Sequence, residues 1–319
     1  MHKLAAGVLG ASGYAGRELC NLIEGHPRFE LRFATANEQR GTSAHFGTRQ
    51  VTFQGSDEVD LGSVDMVFCA LPHGASAKWV SEAASAGAKV VDLSSDLRPG
   101  NTATPATYGL TEFNRDAIKS SAVVANPGCY PTAILFALAP LAKAGVIRPD
   151  TTVHVSAASG VTGAGYSPRL DLLFGEVTEN FKAYSVGNGH RHLAEMKATL
   201  GDWGYAGDLI FTPHLLPVAR GILATVSVEL SEDISNAEKI FNDLYAGEPF
   251  GQYLTSPPTL RDVAFRNSVK MHAIRAANVS RPTLTIFSAI DNLVKGAAGQ
   301  ALQNANLMLG LEETMGLTA

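Results

Sequence analysis

The chain has 319 residues, 45% of them hydrophobic and 17% charged, with a formal net charge of −5. That length suits about two domains at ~100–200 residues each, with room for sizeable cores. The acidic balance supplies no basic field for a phosphate backbone and argues against nucleic-acid binding, while a few local arginines still suffice for a small anionic substrate.

In chain order, the apolar run KLAAGVL predicts a first strand that ends in glycines, and GYAGRELCNLIEGH follows with helical spacing. FELRFAT, VDMVFCALP, the helix-like GASAKWVSEAASAG, AKVVDLSS and SAVVAN continue the alternation to about residue 130. Short apolar strands alternating with helices predict a parallel sheet covered on both faces. A helix is expected near Pro131, after which the texture changes. TTVHVSAASG, GDLIFTPHLLPV and GILATVSVEL are β-branched or alternating, and the helix-like ISNAEKIFNDLYAG follows them, which predicts an α+β domain with a more antiparallel sheet. The tail DNLVKGAAGQALQNANLMLGL reads as one long amphipathic helix that either domain could hold.

No apolar run approaches the ~20 residues of a membrane-spanning helix. The N-terminus, MHKLAAGVLGASG, lacks the basic start and apolar core of a secretory signal. Cys20, Cys69 and Cys129 are widely spaced and odd in number, which fits neither a disulfide framework nor a zinc pattern. A cytoplasmic protein with reduced thiols and no bound metal is expected.

Gly10, Gly13 and Gly16 in GASGYAG stand where the first strand turns into the first helix. A tight strand-to-helix turn needs glycine, and a bare backbone lets a pyrophosphate approach the helix N-terminus, where N–H groups and the dipole favour anions. The GxxGxxG spacing differs from the commonest dinucleotide fingerprint. At the end of the second strand, FATANEQRG carries Thr35 and then Arg40, with Glu38 displaced into the loop. A hydroxyl and a cation with no acid at the strand end suit a ribose 2′-phosphate, so NADP is expected over NAD.

Cys129 follows the Pro127–Gly128 turn, and Pro131 suits the first turn of a helix. A cysteine at a helix N-terminus has its thiolate favoured by the dipole, as reactive cysteines do. Cys69 in MVFCALP and Cys20 on the first helix instead fit the role of small buried hydrophobes.

The segment ANPGCYPTAILFALAP resembles the active-site segment of the N-acetyl-γ-glutamyl-phosphate reductases, acyl-phosphate reductases of arginine biosynthesis. The similarity spans nearly the whole chain through GASGYAGREL, ALPHG, DLSSDLRP, YGLTEFNR, ENFKAYSVGNGHRHLAEM, PVARGILAT and SAIDNLVKGAAGQALQNANLMLGL. The resemblance implies an α/β protein in which a Rossmann dinucleotide-binding domain (1–130 and 292–319) receives an inserted α+β catalytic domain (131–291). It returns the C-terminal helix to the Rossmann part. It also implies NADP as cofactor and a homodimer or homotetramer. Besides Gly10, Gly13, Gly16, Thr35 and Arg40, it places Ser12, Tyr14, Ala15, Pro72, Gly160, Asn292 and Lys295 with the cofactor, and Ser159 and His192 with the substrate. Three features depart from the family: Tyr166 stands where an arginine is usual, with Arg169 three residues on; HRHLAEM replaces HRHxPEI; and AIRAAN lacks a cysteine near Asn278.

His190 and His192 flank Arg191 in the glycine-bearing loop GNGHRH. No third ligand lies at useful spacing for a metal, and a loop histidine beside a charged substrate suits proton transfer. The implied mechanism is covalent. Cys129 attacks the acyl phosphate, phosphate leaves, and hydride reduces the thioester to a semialdehyde. The family pattern gives His190 the acid/base role. Arg98, Arg191 and Arg220 are candidates for the substrate carboxylate or phosphate, and each is equally readable as an ion-pair partner. Alternatives are reduction of aspartyl phosphate or of a carrier-bound aminoadipyl phosphate, or a nucleotide-sensing regulator that does no chemistry.

Overall fold

Apolar alternation in the first third of the chain becomes a parallel sheet with two hydrophobic faces. A computed structural model describes residues 3–234 and 236–319. It divides into two compact units, Met1–Gly128 with Ala297–Thr318, and Cys129–Gly296. The division falls at Gly128 and Gly296 rather than at 130 and 292, which assigns Cys129, Asn292 and Lys295 to the second unit.

In the first unit, six strands run in the order Phe29–Thr35, Leu4–Leu9, Met66–Cys69, Lys89–Asp92, Val123–Ala125, Thr107–Tyr108, and all their pairings are parallel. Because strand side chains alternate faces, Met66 and Phe68 join a core with Leu19 and Ile23 of the helix Tyr14–Gly25. Val67 and Cys69 join an opposite core with Val80 and Ala83 of the helix Ser76–Ser85. The register pairs Leu9 with both Thr35 and Cys69, and Asp92 with both Cys69 and Ala125, so the carboxyl ends finish level. Such an edge is where open α/β sheets bind ligands.

The tail settles in this unit. Residues Gly299–Met308 form an α-helix, and Ala301, Leu302 and Ala305 enter the same core as Leu19. Its buried Asn304 is held by distant partners. Asn304 Nδ2 donates to Gly109 O (2.9 Å) and Asn126 Oδ1 (3.1 Å), and Thr111 Oγ1 donates to Asn304 Oδ1 (2.7 Å). The expected single helix is interrupted, since Val294–Ala298 wind as a π-helical turn before the α-helix begins.

The second unit carries seven strands ordered Lys182–Ala183, Asp208–Leu216, Thr152–Gly160, Ile222–Glu229, Thr283–Ile290, Val269–Arg275, Gly251–Tyr253. Pairing is mixed, antiparallel except where Asp208–Leu216 meets Thr152–Gly160 and Gly251–Tyr253 meets Val269–Arg275. In the strand Ile222–Glu229, burial alternates residue by residue, with Ile222, Ala224, Val226 and Val228 fully enclosed. The helix Cys129–Lys143 packs on this strand and on Thr283–Ile290, beside the helices His192–Asp202 and Ala237–Tyr245. Every residue of it from Tyr130 to Ala142 is buried, so it is a core helix, apolar all round. Pro140 interrupts it chemically, because a residue four beyond Phe136 normally donates to the Phe136 carbonyl and proline has no N–H. The Tyr245 hydroxyl takes that place, donating to Phe136 O at 2.6 Å.

Candidate active site

The glycine loop is shaped by close approach. Gly10 has φ +84°, and a Cβ there would lie 2.4 Å from Ala70 O; a Cβ on Gly16 would lie 2.3 Å from Gly10 O. Gly13 is different. It caps the helix Tyr14–Gly25 with no side-chain hydrogen bond, and a Cβ on it would meet only Gly10 O, at 3.8 Å. Helix N–H groups therefore face a bare backbone concavity, with Ser12, Tyr14 and Ala15 around it. Tyr14 is exposed, and the Ser12 carbonyl is held by Arg17 Nε at 2.9 Å. These residues fit a dinucleotide pyrophosphate.

At the neighbouring strand end Thr35 finds its partners within the protein. Thr35 is fully buried, its hydroxyl 3.0 Å from Ser56 Oγ and accepting from the Gly10 N–H at 3.4 Å, so it braces the glycine loop. A surface cavity of about 300 Å³ opens beside it, lined by Asn37, Arg40, Ser56, Asp57 and Trp79. Arg40 pairs there with Glu58, whose other oxygen accepts from the Gly55 N–H at 2.6 Å. Trp79 and Ser56 carry no motif in the sequence; only the folded chain brings them beside Arg40.

The same carboxyl edge holds a cluster built from the ALPHG and DLSSDLRP segments. Asp96 accepts from the N–H groups of Gly74 (2.8 Å) and Ser76 (3.1 Å) and contacts His73 Nδ1 at 2.6 Å. Burial alone would raise its carboxyl, but these partners hold it below the usual carboxylate range. Asp92 is buried and pushed upward by that burial, against the opposing hydrogen bonds of Ser76 and Ser94. Pro72 is exposed at the start of this loop, its carbonyl accepting from the Ala75 N–H at 3.1 Å. Arg98 is buried in the first unit. It is only 5% exposed and donates through Nε to Asn126 O (2.8 Å) and through Nη2 to Leu93 O (2.7 Å). Its cation braces backbone of the first unit, including the residue just before the Pro127–Gly128 turn.

In the second unit Cys129 is the first residue of the helix Cys129–Lys143 and is half-buried. Cys20 and Cys69 are fully enclosed, and burial pushes both thiols up, out of the reactive range. Gly296 packs closely against Cys129, since a Cβ there would lie 2.8 Å from Cys129 Cβ and 3.2 Å from its Cα. The π-helical turn thus brings an obligatory glycine against Cys129, a contact that no local pattern announces.

Aromatic rings enclose His190. Tyr130, next to Cys129 in the chain, meets it edge-on with centroids 5.4 Å apart, and Tyr184, Phe211 and His192 lie at 5.7, 5.4 and 4.7 Å. Burial, then the charge of Arg191, lowers its imidazole from 6.5 to about 4. Its Nδ1 accepts from the His192 N–H at 3.1 Å, which leaves Nε2 as the protonated nitrogen of a neutral ring. His192 is buried at the start of the helix His192–Asp202, and Arg191 is exposed. The Tyr184 hydroxyl donates to Tyr130 Oη (3.1 Å), which donates to His214 O (3.2 Å). Burial, partly offset by the Tyr130 hydrogen bond, pushes Tyr184 up to about 12, and the charge of Cys129 adds to the rise.

A second group forms around the other arginine. Arg220 Nη1 pairs with the fully buried Asp291 at 3.2 Å. Gly160 packs against this corner so closely that a Cβ would lie 2.8 Å from Arg220 N, and buried Ser159 donates to Gly160 O at 3.0 Å. Two residues expected at the cofactor have protein partners in the second unit. Asn292 accepts from the Gly221 N–H (2.7 Å) and donates to Thr162 Oγ1 (2.9 Å), tying two loops of the second unit. Lys295 is wholly buried, its ammonium over the rings of Phe136 (5.5 Å) and Phe250 (5.4 Å).

A Rossmann-like unit with a glycine loop at its first strand-to-helix turn, together with a second unit carrying a helix-start cysteine and a half-buried histidine, defines a nicotinamide-dependent oxidoreductase of the semialdehyde dehydrogenase class. Two family models match: "Semialdehyde dehydrogenase, NAD binding domain" over residues 5–121, and "Semialdehyde dehydrogenase, dimerisation domain" over 129–292. The N-acetyl-gamma-glutamyl-phosphate reductase of Neisseria gonorrhoeae is 40% identical, covering 99% of this chain and 98% of its own. That of Nitrosomonas eutropha is 39% identical over 98% and 97%. Among solved structures, aspartate semialdehyde dehydrogenase II of Vibrio cholerae, in complex with ASA, shares the fold with a TM-score of 0.78 at 22% identity, covering 97% and 99% of the two chains. The chain belongs to the N-acetyl-gamma-glutamyl-phosphate reductase family.

Proposed function

We propose that the protein reduces N-acetyl-L-glutamyl 5-phosphate to N-acetyl-L-glutamate 5-semialdehyde with NADPH, in arginine biosynthesis. One observation carries the reading: Cys129 is the half-buried thiol at a core-helix start, linked through Tyr130 to His190, whereas the other two thiols are sealed in hydrophobic cores. The substrate is the one named for relatives matched over nearly their whole length.

The helix N-terminus favours the Cys129 thiolate. Its sulfur attacks the acyl carbon; a C–S bond forms, the C–O bond to phosphate breaks, and inorganic phosphate leaves with the electron pair. Bound NADPH supplies the hydride. Reduction of the thioester gives a thiohemiacetal oxyanion, and collapse breaks C–S, releases the aldehyde and returns the thiolate. His190, neutral near pH 7 with its proton on Nε2, donates a hydrogen bond to the oxygen that gains charge in both tetrahedral states. Arg220 and Arg191 bind the anionic ends of the substrate. The glycine cradle holds the pyrophosphate, and Arg40 with the cavity around Ser56 and Trp79 receives the adenosine end carrying the 2′-phosphate.

The protein works in the cytoplasm as a homodimer or homotetramer, supported by the dimerisation-domain match over 129–292. No helix among the described residues is long and apolar enough to cross a membrane. The test is phosphate-dependent reduction of NADP⁺ by N-acetylglutamate 5-semialdehyde, run against aspartate semialdehyde. Strong preference for the acetylated aldehyde is expected; equal or reversed preference refutes the substrate.

A further inference from the structure

Phe265 combines two unfavourable features. Among the described residues it is the only aromatic with positive φ, at 61°, and it is 70% exposed. Left-handed backbone is costly for a bulky side chain, and an exposed ring gains little from burial. Such an outlier persists where its surroundings enforce it, and it points toward a functional role.

The surroundings are specific. The Phe265 N–H donates to Asp291 Oδ2 at 2.8 Å, and the same oxygen pairs with Arg220 Nη1 at 3.2 Å. The Arg220 guanidinium carbon lies 4.4 Å from the centroid of the Phe265 ring. Asp291 Oδ1 accepts from the N–H groups of Leu293 (2.8 Å) and Val294 (3.1 Å), at the start of the turn that carries Gly296 to Cys129. One carboxylate therefore fixes the strained backbone, the cation and the wall of the nucleophile. The turn before Phe265 is itself locked, with the Thr259 N–H donating to Asp262 Oδ2 at 2.7 Å in a reciprocal cap.

We propose that Phe265 is a positioning residue for Arg220: its ring covers one face of the guanidinium, so that the cation, held at Nη1 by Asp291, meets the anionic substrate edge-on. The inference rests on Arg220 contacting substrate, as argued above. A ring on one face removes water from the cation without competing for its N–H groups, which strengthens the in-plane hydrogen bonds to a carboxylate or phosphate.

The experiment compares Phe265→Gly, Phe265→Tyr and Arg220→Lys in the phosphate-dependent oxidation of N-acetylglutamate 5-semialdehyde, reading KM for aldehyde and for phosphate, kcat, and Tm. Phe265→Gly removes the ring and relieves the left-handed backbone, so Tm should hold or rise. KM for one of the two anions should rise about 2- to 30-fold with kcat little changed. Phe265→Tyr should restore KM, and Arg220→Lys should raise KM for the same anion. If Arg220→Lys raises KM while Phe265→Gly does not, the positioning role is overturned and Arg220 keeps its contact. If Arg220→Lys leaves both KM values unchanged, the Arg220 assignment itself fails. A fall in Tm with a KM defect that Phe265→Tyr does not rescue makes Phe265 structural and also overturns the proposal.

Discussion

Replacing Gly296 by Ala tests whether the π-helical turn holds the nucleophile in place. The added methyl would lie 2.8 Å from Cys129 Cβ, 3.2 Å from Cys129 Cα and 3.2 Å from Ile290 Cδ1. Ordinary carbon contacts begin near 3.5 Å, so the methyl must push the helix start or its own turn by roughly 0.5–1 Å. Overpacking of this kind costs about 1–3 kcal/mol. At ~2–4 °C per kcal/mol for a protein of this size class, Tm should fall by about 2–12 °C. Displacement of a nucleophile by ~1 Å costs on the order of 10²-fold in turnover. Differential scanning calorimetry gives the first quantity, and steady-state rates at a temperature where the variant is folded give the second. Gly175→Ala is the control, since a Cβ there meets nothing within 4 Å. Parent-like turnover in Gly296→Ala would refute the claim that this contact positions Cys129.

Other outcomes follow from single interactions. His190→Asn should lower kcat by about 10²–10³-fold, the scale of losing one oxyanion donor; a smaller loss than tenfold removes His190 from the chemistry. Because the folded pKa of His190 is lowered to about 4 from 6.5, its neutral form is the one the fold favours, and the stability it contributes is present above pH 6.5 and lost as pH falls toward 4. Thermal midpoints measured from pH 7 to 4.5 should therefore fall less steeply in His190→Asn than in the parent. Tyr245→Phe removes the hydroxyl that donates to the Phe136 carbonyl, which should cost about 0.5–1.5 kcal/mol in urea unfolding. Arg40→Ala should raise KM for NADPH more than KM for NADH, and an equal effect on both would detach Arg40 from the 2′-phosphate.

The parts legible in the sequence are those whose physics is local. Glycines at a strand-to-helix turn and a cysteine between a Pro-Gly turn and an apolar helix declare themselves within a few residues. The alternation MVFC explains why Cys69 belongs to a core, and the structure puts it there beside Val80 and Ala83. Less legible is which protein partner a polar residue takes. Thr35 turns to Ser56, Arg98 to two backbone carbonyls, and Lys295 to two aromatic rings, and in each case a partner distant in sequence decided the choice. Gly296 beside Cys129, and Asp291 joining Arg220 to Phe265, are likewise set by the packing of segments more than 70 residues or at least 26 residues apart. The return of the tail to the first unit was open on periodicity alone. Burial of Asn304 against Gly109 and Asn126 accounts for it physically.

The central claim is that Cys129 carries the substrate as a thioester. Incubating the protein with N-acetylglutamate 5-semialdehyde and NADP⁺ in phosphate-free buffer withholds the group that releases the acyl chain, so the acyl-enzyme should accumulate. Intact-mass spectrometry after acid quench should show one N-acetylglutamyl adduct, peptide mapping should place it on Cys129, and added phosphate should discharge it. An adduct on Cys20 or Cys69, or full turnover by Cys129→Ser, would contradict the account.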